Sequence, residues 1–490
     1  MGGPCAVLRS SVTGHFMTTI NLDLSSTLQQ TLTNAGSDTY VYAFAFGATT
    51  SGGTVGLIDS AMVYSNGSLN TTSLDVTAGQ FYSGGIYVII QQGGDGNLLS
   101  EISSASDIID NASAKNYSYQ LFEATLSGSQ YDLGDISAVN TFGFTSTYEV
   151  VYQNGSDTRG FSTSADSIFS ALPPEAVIQY ANNQFPNADQ LATGPATAND
   201  QAPWSSTGWQ TYVDALKNSA STLADIEIVY SFQGSSLQPG AMLSQYSVEY
   251  VASDQYGDDY FWLVPDTSNG ATNTDWIRIP VSQLLQNIFE QPGSLEVHQG
   301  GKGGTVVTYD SFTPDNAVGG VAKHFVAGFD AGFWGGEGTS ANALDNQTLD
   351  FNKGYNWNTN YAYDAILLAG VGSADYTNLL VTNPDSSDFL YDPWAQQFVA
   401  NSNAYGYSYS DLVSAGGVNP QIALWDTDAN ANVETINITL YDTNEVPASG
   451  YQASSTALTS SSQGISTGVP VSSTTTVLGL AAATAEIRAS

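Results

Sequence analysis

Positive charge is what this sequence has least of. Its 490 residues hold nine Lys and Arg against 46 Asp and Glu, a formal net charge of -37 at pH 7. Nucleic-acid affinity is carried largely by cations placed on phosphates, so a nucleic-acid partner is excluded, and anionic membrane surfaces are disfavoured on the same ground. Charged residues of both signs make up only 11% of the chain, so Ser, Thr, Asn, Gln and Gly must cover most of the surface. Neutral, hydroxyl-rich partners such as polysaccharides suit a surface of that kind.

Cysteine is nearly absent as well. Cys5 is the single one, which excludes an intrachain disulfide. His298 and His324 have no Cys or acidic companions at zinc spacing, so no transition-metal site is expected, and no motif implies a cofactor. Asp426-Thr427-Asp428-Ala429-Asn430 alternates oxygen-bearing side chains as calcium loops do. It lacks the Gly and the closing Glu of such loops and reads as a hairpin turn. No run approaches the ~18 apolar residues of a membrane helix, so membrane insertion is not expected. Residues 1–20 include Arg9 and His15 and no continuous apolar stretch, so no clear signal peptide is visible. The Lys-poor, nearly Cys-free composition nevertheless points to an extracellular or cell-surface protein.

What the chain does have is strand after strand up to about residue 152. Tyr40, Tyr42, Phe44 and Phe46 alternate with small residues, the period of a half-buried strand. Gly85-Ile86-Tyr87-Val88-Ile89-Ile90 reads as a buried strand that ends in a Gly- and Asp-rich turn. From residue 160 helices and strands mix. Pro173-Pro174-Glu175 predicts a helix running toward Phe185, and Trp209 to Asn218 has helical spacing. Strands are expected at 247–251, 260–264 and 305–308. Pro314 opens a helix with Val318, Val321, Phe325 and Phe329 on one stripe and Gly335-Gly336 at its end. A hairpin is expected from Asn419 through Asp426 to Leu440. Beyond Tyr451 the Ser/Thr/Ala-rich composition reads as a linker or tail. The division that follows is an N-terminal extension at 1–17, a β domain at 18–159, a mixed α/β lobe with a C-terminal hairpin at 160–447 and a tail at 448–490.

The chemistry concentrates in two segments. Leu121-Phe122-Glu123-Ala124-Thr125 puts an acid inside an alternating strand, and Ile136-Ser137-Ala138-Val139-Asn140-Thr141-Phe142-Gly143-Phe144 follows it closely. Together they resemble the F-E-F-T … I-S-x-V-D-F-F-G-L-P signature of thaumatin-like domains, in particular the bacterial β-1,3-glucanases of glycoside hydrolase family 64. Ala327-Gly328-Phe329-Asp330 and Asn403-Ala404-Tyr405-Gly406-Tyr407-Ser408-Tyr409-Ser410-Asp411 are similar to later segments of that family. The resemblance implies a mainly β protein with an α/β part: a thaumatin-like β-sandwich or barrel beside a mixed α/β lobe, with a groove between them for a β-1,3-glucan-type polysaccharide. It further implies that Glu123 is the general acid of an inverting endo-1,3-β-glucanase, with Asn140 at the position of the family's catalytic Asp.

An amide takes no proton at neutral pH, so Asn140 can orient a water or a sugar hydroxyl but cannot act as the base. Asp132, Asp135 and Glu149 are nearby carboxylates, but Asp135 precedes the expected strand and Glu149 lies five residues past Phe144. Phe333-Trp334-Gly335-Gly336 and Tyr355-Asn356-Trp357-Asn358-Thr359-Asn360-Tyr361 mix rings with amides and glycines. Trp334, Tyr355 and Trp357 could stack on sugar rings while Asp411 bonds to hydroxyls; the same rings could equally be packing residues. The rival to a glucan-binding protein, active or not, is a catalytically inactive surface or filament subunit. It would form homo-oligomers through its termini, the 448–490 tail above all.

Overall fold

The computed structural model describes residues 17–36, 38–94, 96–180, 189–194, 228–230, 244–252, 259–265, 274–281, 294–310, 318–319, 321–322, 325, 393–406 and 420–447. The chain opens with β1 (Met17–Leu24), α1 (Ser26–Ala35), β2 (Thr39–Ala48), β3 (Gly56–Ser65), β4 (Ser68–Leu69), β5 (Ser73–Thr77) and β6 (Phe81–Gln92). Helices α2 (Leu98–Glu101) and α3 (Ala105–Lys115) precede β7 (Tyr117–Leu126), β8 (Leu133–Ser137), β9 (Thr141–Phe142), β10 (Ser146–Tyr152) and β11 (Gly155–Gly160). After α4 (Ala165–Ala171) come β12 (Val177–Gln179), β13 (Gln190–Thr193), β14 (Ile228–Tyr230), β15 (Ser244–Val251), β16 (Tyr260–Pro265), β17 (Trp276–Pro280), β18 (Leu295–Gln299) and β19 (Thr305–Tyr309). The last described elements are α5 (Pro393–Asn401), β20 (Ile422–Ala423), β21 (Trp425–Asp426), β22 (Ala431–Asn432) and β23 (Thr435–Leu440). The protein is mainly β with an α/β part, as the sequence led us to expect.

Two sheets stack into a sandwich. One runs β11-β10-β23-β1-β5, the other β20-β8-β7-β6-β2-β3-β4. Alternation supplies the core between them: Ile20, Leu22 and Leu24 on β1, Tyr148 and Val150 on β10, and Ile436, Ile438 and Leu440 on β23 face Val41, Ala43, Ala45, Ile86, Val88, Phe122, Ala124 and Ile136 of the other sheet. Phe122 stacks on Tyr148 across this core, with ring centroids 6.2 Å apart and planes 13° from parallel, a pair worth about 0.5–1.5 kcal/mol beyond its buried area.

The outer face of the seven-stranded sheet is covered too. Tyr40, Tyr42, Phe44 and Phe46 point there and pack with Tyr87, Tyr117 and Tyr119 under Leu98, Ile102, Ile108 and Leu191. β2 is therefore buried on both faces along its whole length, where the alternation suggested half-burial. Its small residues face the inter-sheet core and its rings face the helices. α3 is fixed there by a capping box in which the Ser104 and Asp107 side chains bond each other's backbone N–H.

Two further expectations change. Pro173-Pro174-Glu175 starts a single 3-10 turn, Pro174–Ala176, and the chain passes directly into β12 instead of a helix. Val177 and Ile178 pair with β13 and pack against the two apolar clusters, which outweighs the helix-opening signal. The C-terminal hairpin does not belong with the 160–447 lobe: β23 lies between β1 and β10, parallel to β1 from Thr19↔Thr435 to Leu24↔Leu440.

The strands expected at 247–251, 260–264 and 305–308 lie within β15, β16 and β19, part of an antiparallel sheet in sequence order from β14 to β19. Val318, Val321 and Phe325 are helical and buried, and Phe325 meets Phe261 of that sheet at 6.2 Å. The expected helix at 209–218, the end of the Pro314 helix and the 448–490 tail lie outside the described residues.

Candidate functional site

Glu123 sits in β7 directly opposite Asp135 in β8. Residues opposed across an antiparallel ladder share a face and place their Cβ atoms about 4.5–5.5 Å apart. That face is the outer one, because Tyr117, Tyr119 and Leu121 precede Glu123 on the same side of β7 and belong to the aromatic cluster under the helices. On the other flank Glu123 is opposed by Gly85 of β6, where a Cβ would meet the Tyr87 ring at 3.1 Å and Leu121 at 3.2 Å. Asp135 thus starts no later than Glu123's own row: β8 begins two residues before it, at Leu133, and the expectation that Asp135 precedes the strand is corrected.

The two carboxyls differ in exposure. Asp135 is buried, with 5% of its surface accessible, whereas Glu123 is partly exposed. Burial among its protein neighbours pushes the Glu123 carboxyl up to about 7, and a hydrogen bond with the Ser137 hydroxyl partly counters it. The Tyr87 phenol is raised by burial, then by Tyr119 and by Glu123 itself, which places Tyr87 of β6 beside the acid. Among the described residues the ion pairs are Lys115–Glu101, Arg159–Asp157, and Glu296 with Arg278 and His298. No cation in this group pairs with Glu123.

The frame around the pair is rigid. Gln120, on the inner face of β7, donates through Nε2 to the Ser137 carbonyl at 2.7 Å and accepts the Gly143 N–H at 3.4 Å. β8 is paired on its far side by β20 at Leu133 and Gly134, and Tyr405 both donates to Ile136 and accepts from Ala138 at 2.8 Å. The Trp394 indole N–H donates to the Ala138 carbonyl at 2.9 Å. Segments 393–406 and 420–424 therefore hold the strand that carries Asp135 and Ser137.

Asn140 follows in the bend between β8 and β9, partly buried, and its carbonyl accepts the Gly194 N–H at 2.7 Å. The other nearby carboxylates serve elsewhere. Asp132 is consumed by the backbone N–H groups of Ser127, Gly128 and Ser129, the Ser127 hydroxyl and the Asn432 amide. Glu149 points out of the five-stranded sheet and accepts from Asn437 at 2.8 Å. Trp334, Tyr355, Trp357 and Asp411 lie outside the described residues. From the sequence, Glu123 is singled out, Asp135 is weighed and set aside, and Ser137 and Tyr87 are not singled out. The alternation of Leu133, Asp135 and Ser137 against Gly134 and Ile136 was the available signal.

No protein-family model and no curated protein matches the chain. Among solved structures it is similar to a β-1,3-glucanase domain (glycoside hydrolase family 64) from Clostridium beijerinckii, at 12% identity and a TM-score of 0.44, over 87% of this chain and 98% of that one. It is also similar to the laminaripentaose-producing β-1,3-glucanase of the same family from Paenibacillus barengoltzii, at 10% identity and a TM-score of 0.37, over 87% and 75% of the two chains. The laminarihexaose complex of that enzyme gives 11% identity, a TM-score of 0.36 and the same coverage. At these values the likeness assigns no residue a role.

Proposed function

We propose that this protein binds a neutral β-1,3-glucan-type polysaccharide in a groove around Glu123, outside the cell or at its surface, and hydrolyses it with Glu123 as general acid. The observation that carries the reading is a partly exposed carboxyl, free of any cation among the described residues, whose proton affinity is raised to about 7. Such a group can still hold a proton near neutral pH and give it up when a leaving oxygen needs it. The substrate class rests on the glucanase-like segments around Glu123 and Asn140 and on a charge of -37 that suits a neutral glycan better than a polyanion.

In the proposed step the Glu123 proton passes to the glycosidic oxygen as the bond from that oxygen to the anomeric carbon breaks. A water, oriented by the Asn140 amide, adds to that carbon and releases its proton to solvent. With no carboxylate at position 140 the water is positioned but not activated, so turnover is slow. Reducing-sugar release from a linear β-1,3-glucan tests this. Wild type should show weak release, Glu123→Gln none, and Asn140→Asp about 10²-fold more than wild type, the lower range of a general base. No release from any of the three, with no retention of the glucan, overturns the reading.

A further inference from the structure

We propose that Ser137 is the positioning residue of this site: its hydroxyl donates to the Glu123 carboxyl, holds that group in one orientation and decides which of its two oxygens carries the proton. The inference rests on the reading of Glu123 as the acid and adds the group that aims it. In the β7–β8 ladder Ser137 pairs with Leu121, two residues before Glu123, so its side chain stands on the same face, diagonal to the acid. Diagonal neighbours in such a ladder lie about 7–8 Å apart, a span that a long side chain crosses. The Ser137 hydroxyl meets the Glu123 carboxyl there in a hydrogen bond.

The strand that carries this hydroxyl is held on both edges. Ser137 is buried, and its carbonyl accepts from Gln120 Nε2 of β7 at 2.7 Å. On the other edge its backbone bridges Tyr405, which donates to the Ile136 carbonyl and accepts from the Ala138 N–H, both at 2.8 Å. A hydroxyl suits the task chemically. It donates to a carboxylate, and when Glu123 is protonated it still donates to the carbonyl oxygen, which leaves the acid proton on the other oxygen. Once that proton has gone, the same bond stabilises the charge left behind. The titratable groups beside Glu123 are the Tyr87 phenol of β6, the Tyr119 phenol of β7, which is bonded to Thr141, and Asp135 opposite it in β8. All three stay in place when only the Ser137 hydroxyl is removed, so their influence is common to wild type and variant.

The test is a titration by NMR on the full chain labelled with ¹³C at Glu Cδ and Ser Cβ, with the Glu123 signal assigned by its loss in Glu123→Gln and the Ser137 signal by its loss in Ser137→Thr. Ser137→Ala should raise the Glu123 midpoint by about half a pH unit, a threefold rise in proton affinity, because the bond that favours the charged form is gone. Ser137→Thr, which keeps a hydroxyl, should restore the wild-type midpoint. An unmoved midpoint in Ser137→Ala, or a rise that Ser137→Thr does not reverse, overturns the proposal. Should Ser137→Ala fail to fold, wild type still decides: the Ser137 Cβ signal should titrate with the Glu123 midpoint, and a signal indifferent to pH there overturns the proposal. In a protein that releases sugar, Ser137→Ala should lower kcat about tenfold with KM little changed, since a carboxyl free to turn loses its aim at the leaving oxygen. The alkaline limb of its pH profile should rise with the midpoint, which a merely structural role would not produce. A raised midpoint restored by Ser137→Thr in a protein that releases no sugar would sustain the Ser137–Glu123 bond while removing the hydrolase reading.

Discussion

The Asn432 amide donates to Asp132 at 2.8 Å across 300 residues of sequence. This one contact joins the loop before β8 to the strand pair β21–β22. Asp132 also gathers three backbone N–H groups and the Ser127 hydroxyl, and it is 3% exposed. Its removal leaves several buried donors unsatisfied at once. Asp132→Ala should lower unfolding free energy by roughly 3 kcal/mol, since hydrogen bonds to a charged group are worth about 1.5–3 kcal/mol each and the loop relaxes only in part. Urea unfolding measures it. A loss under ~0.5 kcal/mol would mean that the loop is held by something else.

Glu123 gives stability a pH dependence of a definite sign. Its carboxyl goes from 4.5 to about 7 on folding, so between those values the folded chain keeps a proton that the unfolded chain has released. Stability contributed by this group is therefore present below pH about 4.5 and lost as pH rises toward 7. Glu123→Gln, which cannot ionise, should be more stable than wild type at pH 8 by roughly 2–3 kcal/mol, with the gap gone near pH 4. Urea midpoints at pH 4, 6 and 8 check this; a gap that does not change with pH would show that Glu123 ionises normally in the folded chain.

Gly134 guards the spacing between β8 and β7. A Cβ there would lie 2.6 Å from the Tyr148 hydroxyl and 2.7 Å from the Glu123 carbonyl oxygen. Backbone cannot yield as a flexible side chain can, so Gly134→Ala must push β8 away from β7 at the Glu123 row. The expected loss is roughly 1–3 kcal/mol. Gly56→Ala is the control, because nothing stands within 4 Å of a Cβ at that glycine. Equal effects of the two substitutions would rule out the spacing argument.

How much of this could be read in the sequence follows from how local each signal is. β6 and β7 were legible because alternation and short apolar runs report burial directly, and Glu123 stood out as an acid within such a strand. Asp135 did not, because Asp132-Leu133-Gly134-Asp135 looks like a turn, and only the register with β7 shows that Leu133 already belongs to the ladder. β23 could be recognised as a strand but not placed. Its parallel partner β1 is 416 residues away at the Asn21–Asn437 pair, a distance over which no periodicity speaks. Pro173-Pro174-Glu175 carried a true helix-opening signal for one turn only. The β-branched Val177 and Ile178 then found strand partners in β13, and tertiary pairing overrode local propensity.

Asp426 should make the C-terminal hairpin acid-sensitive. Its carboxylate is held below the usual range, first by the Gln153 backbone N–H at 2.5 Å and then by those of Ala429 and Asp428, with burial opposing. The turn it organises leads into β22 and then β23, and Gln153 belongs to the β10–β11 connection, so the charge links two hairpins that flank the sandwich. A folded proton affinity below the unfolded one stabilises at pH above the unfolded value and is lost as pH falls through the folded one. Asp426→Asn should therefore be less stable than wild type at pH 7, and the difference should shrink to nothing as the pH drops below the ordinary Asp range of about 4. Thermal unfolding of both proteins from pH 7 to pH 2.5 provides the comparison. If the difference persists unchanged at pH 2.5, the carboxylate contributes through shape and not through its charge, and the acid sensitivity of the hairpin must arise from another group.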